Sequence, residues 1–450
     1  MALSANEQFM LELINRTRLD PLGEVTRNGI ALNTGLGANE LGSEVRQVLA
    51  PNALLEKTAI GHSQWMLAAD IFSHTGANNS SPGDRATAEN YNWSRIGENI
   101  AWQGTTGSAN MAAMIEQEHN ALVVSPHHRI NLLFGGYREI GLSQEGGGFS
   151  YSGNTYNSSM VTQNFGLSGT KVFLTGVAYT DSDANKFYSI GEGKSGVSIK
   201  AQALSTTSAA AGGYALALTA GSAVAVSGKV DTTAFTATVS MAAGNVKLDV
   251  VDGSTFYTSG DIHLGTGINH VRLLGTGSLD AFGNDNYNRL SGNNAANELR
   301  GYGGADKLSG LAGNDYMVGG TGNDSLWGDG GSDKMWGGSG ADSLFGGSGA
   351  DRLDAGTGND MICGGADQDA FTFVHHFGKD TISDFSVAAH DSLRFDDALW
   401  GGKSLTEQQV VSQFAKVVAG GVTFTFAADA VLHLDGVTTT AGLAALIDFY

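Results

Sequence analysis

The chain has 450 residues, of which 41% are hydrophobic and 16% charged, enough for several packed cores. A formal net charge of −20 argues against nucleic acid as a partner and favours divalent cations. Cys363 is the single cysteine, so no intrachain disulfide forms, and no run of about 18 apolar residues marks a transmembrane segment.

Residues 1–167 read as α-rich. Ser4 followed by Glu7 is a capping-box signal, and Phe9, Leu13 and Ile14 recur behind it at helical spacing up to Pro21. Further helical stretches are expected at Ala53–Phe72 and Ala109–Val124, with strand-like pieces at 138–144 and 159–166. The opening MALSANEQFMLELINRTRLDP lacks the basic-then-apolar order of a secretory signal peptide. Candidate polar residues in this region are His62, His74, Glu98, Glu116, Glu118, His119, His127 and His128. No HExxH pair is present, and spacing alone does not group them.

From residue 168 to about 280, short β-prone runs separated by Gly, Ser and Thr predict an antiparallel β-sandwich. One loop stands out. Asp181, Asp183, Asn185 and Glu192 occupy positions 1, 3, 5 and 12 of a calcium loop, and Phe187 offers a carbonyl at position 7. Lys186 stands where an EF-hand has glycine, and no helical flank is evident.

Residues 281–372 carry a nonapeptide repeat. Asp306, Asp315, Asp324, Asp333, Asp342, Asp351, Asp360 and Asp369 follow one another at intervals of nine, with Asn288 and Asn297 in the same slot upstream. Six Gly-rich residues precede a short run whose apolar side chain points inward, as at Leu308, Leu326, Leu344 and Leu353. Such a unit buries a core only by stacking. Carboxylates on strands about 4.8 Å apart repel by roughly 1 kcal/mol in water and about 3–4 kcal/mol at an effective dielectric near 20. A hard cation such as Ca²⁺ between turns removes that cost.

Residues 373–450 read as strands, a helix at LTEQQVVSQFA and a terminal LAALIDFY, a cap for the stacked repeats.

Two resemblances organise these readings. The nonapeptides resemble the RTX calcium-binding β-roll, in which two repeats make one turn. That implies one edge of Asp306, Asp324, Asp342 and Asp360 and another of Asp315, Asp333, Asp351 and Asp369. The flank, with D-x-I-x-D-F at 380–385, L-x-L-x-G at 432–436 and a terminal Asp448-Phe449-Tyr450, resembles that of type I secretion substrates. It implies extracellular localisation through a type I secretion transporter.

The order F-S-H-T-G (72–76), G-D-R (83–85), I-G-E-N-I-A (96–101), S-P-H-H-R-I-N-L-L (125–133) and V-T-Q-N-F-G (161–166) resembles the bacterial CAP (SCP/PR-1-like) domain. The resemblance implies an α-β-α sandwich with a surface cleft. His74, Glu98 and His128 match three cleft positions, while Ser125 stands where many members have a second glutamate. Two imidazoles make the cleft a candidate Zn²⁺ site. The middle domain resembles transthyretin-like or regulatory β-sandwich modules. The expectation is a multidomain chain with Ca²⁺ as cofactor. Three readings of its activity stay open: a binding module for an extracellular lipid, peptide or cell-wall ligand, a metal-assisted hydrolase using His74, Glu98 and His128, and a structural or adhesive protein.

Overall fold

The computed structural model describes residues 2–374 and 376–450. They fall into two compact units, Met1–Gly260 and Asp261–Tyr450.

The first unit begins with the helix Ala5–Leu19, whose Ser4–Glu7 capping box forms in both directions. Pro21 opens a second helix rather than only ending the first. It sits in the first turn of Pro21–Arg27, behind the Asp20 cap, where its missing N–H costs nothing. The helix Ala53–Ala69 is capped by Asn52 and ends three residues before the expected Phe72, at the Asp70 cap with its left-handed φ of 57°. Met111–Val124 starts from Asn110 and runs into Pro126–Leu133.

Three antiparallel strands, Arg95–Thr105, Glu139–Tyr151 and Asn154–Leu167, form the sheet, and Ala50–Pro51 adds a parallel edge. The I-G-E-N-I-A segment, which gave no strand signal, is therefore a strand. Side chains alternate between the faces. Ala101, Ile140, Leu142, Val161 and Phe165 pack with the helices Ala5–Leu19, Met111–Val124 and Pro126–Leu133. Ile100 and Met160 pack with Met66 of Ala53–Ala69 on the opposite face. That helix lies directly on the strand at Gly141, where a Cβ would fall 2.0 Å from the Leu55 carbonyl carbon.

Residues 172–258 form short strands, as expected, but the pairing is mixed. Val172–Tyr179 runs parallel to Val246–Val251 and antiparallel to Gly213–Leu218. These strands are packed onto the helical region. Asn245 Nδ2 donates to the carbonyls of Val48 (2.8 Å) and Arg138 (2.7 Å). Lys247 Nζ lies 2.8 Å from Glu12 Oε2 and also pairs with Asp249. Burial works against the Lys247 charge, but the Asp249 and Glu12 carboxylates raise its pKa above the usual lysine range.

The second unit is a parallel β-solenoid with a cap. Its stacking already starts with Ile262 opposite Ala281, upstream of the expected residue 281. Successive turns place Leu290, Leu308, Leu326, Leu344, Ile362 and Ile382 in one inward column. Leu299, Met317, Met335, Leu353, Phe371 and Leu393 form the other. The cap continues the same stacking, with Ala430–Asp435 on Gly378–Ile382 and Ile447–Phe449 on Ser392–Phe395. The predicted helix forms as Glu407–Phe414 behind a Thr406 capping box. Phe395, Phe424, Phe426, Trp400 and Phe414 stack across the end of the core. Among the described residues, no helix is long and apolar enough to cross a membrane.

Lys247 generates a stability prediction. Lys247→Met leaves Glu12 and Asp249 buried without their cation, so the first unit should lose roughly 3–5 kcal/mol. Chemical denaturation followed by a probe in that unit reads the change, and an unaltered midpoint would show that the triad contributes nothing.

Candidate calcium ladder, calcium loop and cleft

The backbone of the solenoid turns positions every repeat aspartate. Asn288 N donates to Asp306 Oδ1 (2.7 Å), Asp306 N to Asp324 (2.7 Å), Asp324 N to Asp342 (2.8 Å) and Asp342 N to Asp360 (2.8 Å). A second ladder runs from Asn297 through Asp315, Asp333 and Asp351 to Asp369, at 2.7–3.0 Å. The eight aspartates thus occupy the two edges inferred from the repeat. Each is only 1–3% exposed.

One oxygen of each carboxylate is held by the preceding turn. The other, Oδ2, is buried without a hydrogen-bond partner in all eight. It faces a glycine. A Cβ on Gly301 would lie 2.1 Å from Asp306 Oδ2 and 2.7 Å from the Gly319 carbonyl. On Gly328 the distances would be 2.3 Å to Asp333 Oδ2 and 2.5 Å to the Gly346 carbonyl. Glycine at this position keeps an unpaired carboxylate oxygen and a backbone carbonyl facing one open space. An all-oxygen, anionic donor set fits Ca²⁺.

The electrostatics agree. Burial, followed by the neighbouring aspartates, pushes Asp342, Asp351 and Asp369 up to about 7. Asp306 and Asp315 also rise to about 7 and Asp360 to about 6, again chiefly through burial, and burial raises Asp324 and Asp333. Asn288 and Asn297 differ. Their amides donate to the carbonyls of Asn269 (3.1 Å) and Leu279 (2.8 Å), so these turns hold no orphaned oxygen. Sequence spacing missed Asp380 and Asp391, because the intervals of 20 and 22 residues break the nonapeptide count. Only their flanking strands betray them.

In the first unit, Asp181, Asp183 and Glu192 bring ligand oxygens within 4.8 Å of one another, the only such group of three among the described residues. The loop is closed by its own backbone. Lys186 N donates to Asp181 Oδ2 (3.1 Å), Asn185 N to Asp183 Oδ1 (3.1 Å) and Ser189 N to Glu192 Oε2 (2.8 Å). Lys186 adopts φ 62°, so it makes the sharp turn that glycine makes in an EF-hand. The Asn185 amide turns to Asp183 Oδ2 (2.9 Å), and Asp181 Oδ1 has no partner.

The cleft residues also come together. Glu98, on Arg95–Thr105, accepts from His74 Nδ1 at 2.9 Å and from Arg85 Nη2 at 2.5 Å. Arg85 Nη1 holds the His74 carbonyl (3.1 Å), and His62 Nε2 holds the Ser73 carbonyl (2.9 Å), fixing the segment that carries His74. Asn131 ties the helix Pro126–Leu133 to Glu98 O (3.1 Å), and Asn99 bonds the His128 carbonyl (3.2 Å). The His74 and His128 rings lie 6.4 Å apart. Burial lowers the pKa of both His62 and His128. Arg85 was visible as the G-D-R motif, but nothing in the spacing assigned it to Glu98. Its guanidinium holds Glu98 Oε2 while His74 Nδ1 bonds Oε1, so both carboxylate oxygens are engaged and the residues fit a hydrogen-bonded Arg–Glu–His chain better than a Zn²⁺ centre. Glu118 is not a substitute ligand. It accepts from Ser159 (3.0 Å), and burial raises it to about 8.

Comparison with known proteins identifies the ladder. The RTX calcium-binding nonapeptide repeat family matches residues 282–317, 310–344 and 336–371. Residues 282–371 are RTX repeats. No curated protein matches the chain significantly. Among solved structures, an extracellular protein containing an SCP domain from Bacillus anthracis aligns at 24% identity over 36% of this chain and 40% of that one, with a TM-score of 0.23. An outer surface protein from Borrelia burgdorferi aligns at 19% identity over 27% of this chain and 78% of that one (TM-score 0.21). The extracellular lipase LipA from Serratia marcescens aligns at 15% identity over 38% of this chain and 40% of that one (TM-score 0.21). The chain therefore spans less than half the length of the first and third.

The raised carboxyls predict a pH dependence for the calcium-free roll. Their stabilising contribution is complete below the unfolded value of 3.8 and disappears as pH rises through the folded value of about 7. In chelator, β-structure and amide protection in residues 306–369 should decline between about pH 4 and pH 7, and calcium added near pH 6 should release protons. Apo stability that instead increases with pH across this window contradicts the assignment.

Proposed function

We propose that the protein is a secreted calcium-binding protein whose RTX roll folds on Ca²⁺ outside the cell and whose N-terminal CAP-like domain binds an extracellular lipid, peptide or cell-wall ligand. The ladder of buried aspartates with one unpartnered oxygen each carries the calcium part. Asp306, Asp324, Asp342 and Asp360 hold ions along one edge, and Asp315, Asp333, Asp351 and Asp369 along the other. In a low-calcium cytosol the apo roll is destabilised by its own carboxylates, which suits export as an unfolded chain. The C-terminal flank supplies the address for a type I secretion transporter. Asp181, Asp183, Asn185 and Glu192 form a separate calcium loop that stiffens the sandwich.

The CAP assignment rests on the ordered motifs from F-S-H-T-G to V-T-Q-N-F-G. The segment leading into His74 exposes Ile71 (47%) and Phe72 (41%), which supports an apolar ligand beside the cleft. The hydrolase reading has one supporting observation, the His74–Glu98 pair with the His74 side chain half exposed.

Millimolar Ca²⁺ should convert the roll of the full-length protein from a poorly protected to a β-structured state by circular dichroism and hydrogen exchange. Mg²⁺ should not replace it, because it demands a smaller octahedral shell. A roll already folded in chelator above about pH 7 sinks the proposal. Removing about the last 60 residues should trap the chain in cells equipped with a type I transporter, and continued export would reject that route. Calorimetric titration of Zn²⁺ should give no heat attributable to His74 or His128. A site lost in both His74→Ala and His128→Ala would move the reading to the metal hydrolase.

A further inference from the structure

Asp380 lies beyond the matched repeats, in the strand Gly378–Ile382. It nevertheless continues the first edge. Asp360 N donates to Asp380 Oδ1 at 3.0 Å, as Asp342 N donates to Asp360 at 2.8 Å. The strand runs parallel to Met361–Ala366, with Ile382 opposite Ile362, so the core register is kept although the interval is longer. Asp380 is 2% exposed, and its Oδ2 has no hydrogen-bond partner. This is the condition of the eight repeat aspartates, reproduced by a residue that no nonapeptide supplies.

The second edge ends differently. Asp369 N donates to Asp391 Oδ1 (3.1 Å), but Asp391 Oδ2 accepts from Ser386 N at 2.7 Å. There the protein itself satisfies the last carboxylate. Burial, then the Asp360 charge, pushes Asp380 up to about 8; burial also raises Asp391, but there backbone donors from Ser386 and Asp369 work against the rise.

We propose that Asp380 is a calcium ligand that carries the first-edge ion array one turn into the C-terminal segment, while Asp391 closes the second edge without an ion. The proposal rests on the roll binding calcium through its repeat aspartates. The Asp360 carboxylate one turn back is the companion ligand. An ion there clamps the strand Gly378–Ile382 to the repeats, and Ala430–Asp435 stacks on that strand in turn. Folding of this part of the flank is thereby coupled to calcium.

The test counts calcium bound to the full-length protein by equilibrium dialysis, in the wild type, Asp380→Asn and Asp324→Asn. Asparagine keeps the Oδ1 acceptor and removes the charge. Asp380→Asn should bind one ion fewer, with faster hydrogen exchange confined to 378–382 and 430–435. A wild-type ion count in Asp380→Asn, alongside a loss in Asp324→Asn, overturns the proposal and leaves the repeat sites standing. No calcium bound by the wild type overturns both. Should Asp380→Asn fail to fold, exchange in the wild type decides. Amides at 378–382 should gain protection over the same calcium range as those at 361–366, and full protection in chelator overturns the site.

Discussion

The constraint on which the second unit depends is a buried carboxylate at every half-turn from Asp306 to Asp369, each with one oxygen unpaired. Desolvating an anion is costly unless a counter-charge or several donors meet it. The roll gives each aspartate one backbone donor and no cationic side chain. A small residue before each loop, glycine in all but Ala355, leaves the open oxygen and a backbone carbonyl of the next turn facing one space, which has the chemistry of a hard-cation site. Inward leucines and methionines supply a core, but they cannot discharge the edges.

The first unit solves the same problem with its own residues. Glu12 and Asp249 share Lys247. Glu24, fully buried, is met by Arg16 at 2.9 Å and His119 at 3.3 Å. Burial alone would raise its pKa, but the His119 and Arg16 hydrogen bonds and charges bring it down to about 2. Glu98 is clamped by Arg85. These carboxylates are neutralised within the polypeptide, so this unit requires no ion at them. Glu118 stays buried without a cation, and in the Asp181–Glu192 loop three carboxylates converge without a cationic partner.

Legibility in the sequence followed periodicity. The nonapeptide register marked eight aspartates and the inward residues Leu308, Leu326, Leu344 and Leu353, and the resemblance to the RTX roll, with two repeats per turn, divided the aspartates between two edges. Helix starts were legible through Ser4, and the ends less so, since the stop at Asp70 depends on a left-handed residue that is not glycine. What stayed hidden was non-periodic and long-range. The parallel pairing of Val172–Tyr179 with Val246–Val251 joins segments about 70 residues apart, and local alternation carries no sign of strand direction. Lys247 looked like an ordinary strand lysine, because its partner Glu12 belongs to the first helix. Arg85 and Glu98 likewise meet only in three dimensions.

The two ends of the ladder show why one substitution matters more than the repeat count suggests. Asn288 and Asn297 stand in the aspartate slot, yet an amide presents a donor as well as an acceptor. Asn288 accepts from Asn284 N at 2.7 Å and donates to the preceding turn, and Asn297 accepts from Asn293 N at 2.9 Å and does the same. Neither carries charge, so neither repels the carboxylate of the next turn. The upstream turns therefore close on their own hydrogen bonds, and the unpaired carboxylate oxygens begin only at Asp306 and Asp315. An ion-independent start gives the charged turns a formed edge on which to add, with backbone donors from Asn288 and Asn297 already aimed at the first two carboxylates. Only the turns downstream of that edge carry the unbalanced charge.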